Sequence, residues 1–253
     1  MSRPVVLITG YRGLAETFIR AFLCADFQVS VLVHRESAIN ALRQSFPGIC
    51  CDVGDVADGV TQQRWLHKTL DSFGRVDHLI NNAAVLGPHG RLHEIEIEEF
   101  NKTLEINLEA PVRLTQLWLQ YHESKKSHGV VINLSGGGAA NPRPGFSPYA
   151  LSKTALVRLT ENLSQEYPQH RFYAISPGLL ATNMTKGLMT GEAQDPNKAA
   201  DLATFLLDTR PHHLNGKLIH AVWDDYRNAP EEDGWWTLRR IDEKCRKIVS
   251  KLD

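Results

Sequence analysis

The sequence predicts an α/β fold: a doubly wound, seven-stranded parallel sheet with helices on both faces. Short runs rich in β-branched residues alternate with helix-length amphipathic segments along the chain. Runs such as Val5–Ile8 and Val130–Ile132 are apolar almost throughout, which is typical of strands that helices cover on both sides. A length of 253 residues fits one domain of this kind, which we expect to span residues 1–253.

The elements follow one another from the N-terminus in alternating order. Strands are predicted at Val5–Thr9, Val29–Val33, Gly48–Asp52, Asp77–Asn82, Val130–Leu134, Phe172–Ser176 and Lys217–Trp223. Helices are predicted at about 14–25, 36–46, 56–73, 97–124, 149–166 and 197–208. Residues 224–253 form an appended C-terminal tail, whose Trp235 and Trp236 should be buried against a substrate cleft or a subunit interface.

Composition argues against several kinds of partner. The net charge of −1 gives no indication of nucleic acid or an anionic membrane. The first apolar run is too short for a secretory leader or a membrane span. Four cysteines, Cys24, Cys50, Cys51 and Cys245, lack the spacing of metal ligands. We therefore expect a cytoplasmic protein with reduced thiols and no metal.

A glycine turn joins the first strand to the first helix. It consists of Gly10, Tyr11, Arg12, Gly13 and Leu14. Glycine permits close approach of a pyrophosphate to the backbone, and the N-terminus of the helix offers free N–H groups. In this position the turn predicts a dinucleotide site on a Rossmann-type sheet.

The second strand indicates which dinucleotide is bound. It ends at His34 and Arg35, where an acidic residue would bind the adenosine ribose of NAD. Arg35 and Arg12 can instead pair with a 2′-phosphate, which favours NADP(H) and leaves NAD(H) as the alternative. Both arginines could also be solvated surface residues.

Tyr149 and Lys153 are four residues apart on a predicted helix, which puts both side chains on one face. A neighbouring ammonium, joined by the cationic nicotinamide ring in the oxidised complex, should lower the pKa of the phenol toward neutrality, so that Tyr149 can exchange a proton with a substrate oxygen. The alternative is an ordinary pair on a helix surface.

Several further motifs stand at characteristic intervals from this pair. They are Cys51-Asp52-Val53, Asn81-Asn82-Ala83-Ala84, Ile106-Asn107, Asn133-Leu134-Ser135 and Ser176-Pro177-Gly178 followed by Thr182. Together with the glycine turn and the Tyr149–Lys153 segment, they make the chain resemble the short-chain dehydrogenase/reductase family, in its compact single-domain branch, over roughly residues 4–223. The resemblance implies hydride transfer between nicotinamide C4 and a carbonyl or secondary alcohol, in a homodimer or homotetramer.

The resemblance also implies roles for individual residues. Tyr149 would be the catalytic acid/base, and Lys153 would lower its pKa and bind the nicotinamide ribose. Asn107 would hold a proton-relay water. The remaining cofactor contacts would come from Asp52 and Val53 at the adenine, Asn82 and Ala83 at the cleft floor, and Leu180 and Thr182 at the carboxamide.

Two features depart from the family pattern. The serine that polarises the carbonyl usually lies thirteen residues before the tyrosine, where this chain has Gly136. Ser135 is one residue early, and we expect the flexible glycine run to let its hydroxyl reach the substrate; Ser147 or a backbone N–H of the run are the alternatives. The glycine turn has only two residues between Gly10 and Gly13, as in the longer sugar-nucleotide branch.

These departures leave two other functions open. The chain could modify a sugar or nucleotide sugar, which the shortened turn and the tryptophans of the tail would suit. It could also bind NADP(H) as a sensor without catalysis, although such a protein has no use for the Tyr149–Lys153 pair.

Overall fold

The computed structural model describes residues 3–182, 184–186 and 191–229. Its sheet has seven strands: β1 Val5–Thr9, β2 Gln28–Val33, β3 Cys50–Val53, β4 His78–Asn81, β5 Val130–Leu134, β6 Arg171–Ser176 and β7 Leu218–His220. They run parallel in the order β3-β2-β1-β4-β5-β6-β7. The predicted doubly wound parallel sheet is confirmed, and the order reverses between β1 and β4.

Helices cover both faces of this sheet. They are α1 Leu14–Cys24, α2 Ser37–Ser45, α3 Gly59–Phe73, α4 Ile97–Leu104, α5 Ala110–Lys125, α6 Ser147–Glu166 and α7 Pro196–Thr209. One core packs α1, α2 and α7 against alternate strand residues such as Val6 and Ile8. The opposite core packs α3, α5 and α6 against the residues between them, such as Leu7. Two buried faces explain why the strands are apolar almost throughout.

The predicted helix at 97–124 is interrupted. A π-helical turn at Glu105–Glu109 separates α4 from α5. Pro111 lies in the first turn of α5, where its missing N–H cannot continue the hydrogen-bond ladder of a single long helix. The helix predicted from 149 also begins earlier, at Ser147, with Pro148 in its first turn.

The last strand is shorter than the predicted Lys217–Trp223. The Asp224 carboxylate accepts a hydrogen bond from the His220 backbone N–H at 2.7 Å. The His220 ring accepts bonds from the backbone N–H groups of Val222 and Trp223, both at 3.2 Å. Because these side chains bind the backbone groups locally, the chain turns after Ala221, whose N–H still donates to the Ser176 carbonyl at 2.9 Å.

Of the predicted C-terminal tail, the structure describes residues 224–229. Tyr226 packs against Phe205 on α7, with ring centroids 5.4 Å apart. Trp235, Trp236 and Cys245 lie outside the described residues. In the described part of the chain, no helix combines the length and apolar character needed to cross a bilayer. The same residues contain no group of three or more His, Cys, Asp or Glu that could hold a metal ion.

Candidate active site

A cleft of about 1400 Å³ opens at the carboxyl ends of the strands. It lies where ligands bind in open α/β sheets and exceeds the volume that most small-molecule sites need. The predicted site residues that line it are Gly10, Tyr11, Arg12, Gly13, Leu14, Arg35, Asn82, Ala83, Ser135, Tyr149, Lys153, Leu180 and Thr182. Asp52, Val53 and Asn107 are not among its lining residues.

The glycine turn fits a dinucleotide cradle. Gly10 and Gly13 have φ of +80° and +61°, which side chains rarely permit. A Cβ on Gly10 would lie 3.2 Å from the Asn82 amide nitrogen, and one on Gly13 would lie 3.3 Å from Thr182. No side chain caps α1, so N–H groups of its first turn are available to a pyrophosphate.

The cleft floor is held by hydrogen bonds between the ends of β1 and β4. The Thr9 hydroxyl accepts bonds from the backbone N–H groups of Asn82 at 3.0 Å and Ala83 at 2.9 Å. The Asn82 side chain donates to the Thr9 carbonyl at 2.8 Å. Asn82 therefore ties two strands together at the point where they meet the cleft.

The part of the cleft beside the ends of β1 and β2 is basic. The Arg12 Nε donates to the Tyr11 hydroxyl at 2.8 Å, and the guanidinium lies 5.3 Å from that ring centroid. Arg35 lines the same cleft. Neither arginine forms an ion pair with a carboxylate of the described residues. Both guanidiniums are thus available to an anionic ligand.

Asp52 is bound by two cations of a neighbouring helix. Its carboxylate is buried at the end of β3 and binds Arg64 at 2.9 Å and Lys68 at 3.1 Å, both on α3. Burial raises the pKa of Asp52, but the bonds from Lys68 and Arg64 outweigh it and hold that pKa below its ordinary value. Val53 packs beside the core, and its carbonyl accepts from Arg64. The adenine contact of these two residues stays a prediction.

Tyr149 and Lys153 lie in the first turns of α6 and are both buried in the cleft wall. The Lys153 ammonium donates to the Leu134 carbonyl at 2.8 Å and lies 5.7 Å from the centroid of the Tyr149 ring. Burial lowers the pKa of Lys153 to about 8. The pair is therefore brought together as its spacing predicts.

Burial dominates the electrostatics of Tyr149 in the chain without ligand. Burial raises the pKa of its phenol above the ordinary value, and the charge that opposes this rise is Arg143. The lowering predicted for Lys153 together with the cationic nicotinamide ring concerns the complex with oxidised cofactor and stays a prediction.

Gly136 lies against the phenol. A Cβ on Gly136 would be 2.7 Å from the Tyr149 hydroxyl oxygen. Ser135, the preceding residue, is 4% exposed, and its Oγ makes no hydrogen bond within the described residues. Ser135 and the glycine run both line the cleft, whereas Ser147, at the start of α6, does not.

Asn107 lies behind the cleft on the π-helical turn and is fully buried. Its amide donates to the Val85 carbonyl at 2.8 Å and to Ser152 Oγ at 3.2 Å. Its side-chain oxygen accepts from the Val85 N–H at 2.8 Å. Both amide protons have protein partners, so the predicted relay water would have to bind an oxygen of this residue.

The predicted site residues do not include Arg143, His220 or Trp223, which also line the cleft. The Arg143 guanidinium carbon lies 5.5 Å from the Tyr149 ring centroid. His220 and Trp223 stack with centroids 3.8 Å apart and planes 3° apart, and Trp223 is 71% exposed. The sequence does carry a signal for Arg143, because it is a cation in the glycine- and proline-rich loop just before Tyr149. His220 and Trp223 were missed because both belong to the predicted strand Lys217–Trp223.

Comparisons with known proteins agree with this geometry. A family model described as short chain dehydrogenase matches residues 4–193. The chain is 31% identical over 199 residues to dehydrogenase/reductase SDR family member 4 of Oryctolagus cuniculus, covering 72% of this chain and 75% of the relative. It is 31% identical over 198 residues to L-fucose dehydrogenase of Mus musculus, covering 77% and 71%.

Solved structures share the fold. The 3-ketoacyl-(acyl-carrier-protein) reductase of Brucella melitensis complexed with NADH has a TM-score of 0.80 at 22% identity, covering 87% of this chain and 96% of that chain. The gluconate 5-dehydrogenase of Burkholderia cenocepacia J2315, in complex with NADP and tartrate, has a TM-score of 0.79 at 20% identity, covering 87% and 94%. Since the family model spans most of its length, the chain belongs to the short-chain dehydrogenase/reductase family of oxidoreductases.

Proposed function

We propose that this oxidoreductase is an NADP(H)-preferring enzyme that interconverts a carbonyl and a secondary alcohol, with Tyr149 as the acid/base. One observation carries the proposal: Tyr149 and Lys153 are buried together in the wall of the same cleft that begins at the glycine turn. A protein that only bound the dinucleotide would have no need to bury a phenol and an ammonium there, since burial of ionisable groups is costly.

The chemistry divides between cofactor and protein. A bound nicotinamide supplies the hydride for reduction or accepts it for oxidation. In reduction, the Tyr149 hydroxyl donates its proton to the substrate oxygen as that oxygen gains negative charge. The unpartnered hydroxyl of Ser135 donates a hydrogen bond to the same oxygen. With a pKa of about 8, Lys153 is mostly cationic near pH 7 and favours the phenolate that remains on Tyr149.

The preference for NADP(H) rests on the basic adenosine end of the cleft. Arg12 and Arg35 are free of carboxylate partners within the described residues, so a 2′-phosphate would find two guanidiniums available. The relatives do not decide the matter, because one solved structure contains NADH and another contains NADP. We expect Arg35→Ala to weaken NADPH binding by about tenfold and to leave NADH binding nearly unchanged. Tighter binding of NADH than NADPH by the unmutated protein would refute this preference.

The test of the function is turnover. Purified protein is incubated with NADPH and a panel of aldehydes, ketones and oxo acids, and the loss of nicotinamide absorbance is followed. Tyr149→Phe should lower kcat by about 10²- to 10⁴-fold while NADPH binding is retained. The matched control is Tyr121→Phe, whose hydroxyl makes one long bond of 3.4 Å to Val76, away from the cleft. Cofactor binding without turnover on the whole panel would favour the sensor function instead.

A sugar or sugar acid is the second candidate substrate. Trp223 presents an exposed ring in the cleft wall, stacked on His220, and flat aromatic faces suit the apolar faces of sugar rings. One relative is named L-fucose dehydrogenase. Including L-fucose and D-gluconate with NADP⁺ in the panel tests this candidate directly.

We also propose that the chain forms one domain and acts as a homodimer or homotetramer in the cytoplasm on small molecules, without nucleic acid or membrane partners. The seven strands form a single sheet, which supports one domain. Sedimentation analysis would give the number of subunits.

A further inference from the structure

We infer that Arg143 binds a carboxylate group of the substrate and that short-chain oxo acids, or the matching hydroxy acids, are the substrate class. The inference rests on the proposed function, because it concerns the substrate that meets Tyr149. It adds a specificity-determining residue outside the Tyr149–Lys153 pair.

The surroundings of Arg143 hold its guanidinium in the cleft. Its carbon lies 4.6 Å from the Phe146 ring centroid and 5.5 Å from the Tyr149 ring centroid, within the range of cation–π contact. Gly137 leaves room for it, since a Cβ there would lie 3.2 Å from one guanidinium nitrogen. Stacking on two rings orients the plane of the guanidinium and leaves its N–H edge for a ligand.

The charges around Arg143 leave it without a counter-ion. The side chain is half-buried, yet no carboxylate of the described residues forms an ion pair with it. Glu192 is the one carboxylate among the described residues that line the cleft, and it is exposed. A half-buried cation without an anion is unfavourable, so a bound anion would be stabilised here.

The position of Arg143 specifies the kind of anion. Other cations of the cleft have partners in the proposed function: Arg12 and Arg35 bind the cofactor, and Lys153 is bonded to the Leu134 carbonyl. One guanidinium matches the single charge and planar shape of a carboxylate. Because it lies over the ring of the residue that protonates the carbonyl oxygen, carboxylate and carbonyl must be only a few bonds apart.

Matched acid and ester substrates test the inference. The compounds are 2-oxobutanoate, 3-oxobutanoate and 4-oxopentanoate, each compared with its methyl ester, in the unmutated protein, Arg143→Met, Arg143→Lys and Arg20→Met. Arg20 is an exposed arginine on α1 outside the cleft and serves as the control for the same substitution. We expect Arg143→Met to lower the acid-to-ester ratio of kcat/KM by about ten- to hundredfold, mainly through KM, with Arg143→Lys in between.

An acid-to-ester ratio that Arg143→Met leaves unchanged would overturn the inference. If kcat/KM falls equally for acids and esters and the pH profile shifts, Arg143 acts only through Tyr149.

A binding measurement separates this inference from the proposed function. The same acids and esters are titrated into the protein saturated with NADPH, and heats of binding are recorded. Absence of turnover on every compound would refute the proposed function. Acids that still bind more tightly than esters, and lose that advantage in Arg143→Met, would support the anion site on its own; equal binding of acids and esters to the unmutated protein would refute it.

Discussion

Replacing Gly136 with alanine tests whether the position of the Tyr149 hydroxyl controls turnover. The added methyl carbon would lie 2.7 Å from the phenol oxygen, whereas ordinary contact begins at 3.4 Å. The oxygen must therefore move by the difference of these two distances, about 0.7 Å. Gly136 has no positive φ, so the backbone accepts alanine and the perturbation falls on Tyr149.

The displacement should affect catalysis more than stability. A misplacement of about 1 Å can cost a reaction on the order of 10²-fold, so we expect kcat/KM to fall by about ten- to hundredfold. The phenol oxygen is the end of a side chain at a cleft wall, so overpacking should cost only about 1 kcal/mol of the free energy of unfolding. Cofactor affinity should be nearly unchanged, because the glycine turn is not touched.

The assay combines steady-state kinetics on the best substrate of the panel, an NADPH titration and urea unfolding. Gly59→Ala is the matched control, since a Cβ at Gly59 meets nothing within 4 Å. A folded Gly136→Ala protein with the kcat/KM of the unmutated enzyme would show that the contact between Gly136 and Tyr149 does not govern the proton transfer.

Three further predictions follow from single contacts. Ser135→Ala should lower kcat by about 10²-fold without loss of stability, because the buried hydroxyl has no partner within the described residues; unchanged kcat would exclude Ser135 from the reaction. Asn107→Ala should lower the free energy of unfolding, measured in urea, by about 3 kcal/mol, since it leaves both backbone groups of Val85 without their partner. Burial lowers the pKa values of His122 and His170 from 6.5 to about 4, so the unfolded chain takes up protons over this range before the folded chain does. Stability should therefore decrease as the pH falls from 6.5 to 4, by up to about 3 kcal/mol for each ring, and urea unfolding of His122→Gln should show a shallower dependence on pH.

Much of the fold could be predicted because it depends on local patterns. The parallel strands can be recognised in the sequence as short apolar runs, because both faces of each strand are buried. The glycine turn and the Tyr149–Lys153 pair were predicted because chain geometry alone brings residues within a turn or one helical repeat together. The resemblance to a known family extended this to residues such as Ser135 and Asn107.

The last strand was predicted too long because side chains compete for its backbone groups, and some contacts with distant partners were not predicted at all. His220 and Asp224 end the last strand by binding N–H groups that a strand pattern assigns to the ladder. Asp52 meets Arg64 and Lys68 from α3, and no periodicity of the sequence indicates that pairing.

The sequence by itself determined the class of sheet, the location of the glycine turn and the identity of the phenol–ammonium pair, because these follow from covalent spacing and from which residues avoid water. Only the tertiary structure decided what surrounds the phenol: Gly136 against its oxygen, Arg143 over its ring and burial that raises its pKa. These contacts join the loop that contains Gly136 and Arg143 to Tyr149 on α6. Because the loop has no sequence periodicity, the distances between these residues are set only when the chain folds.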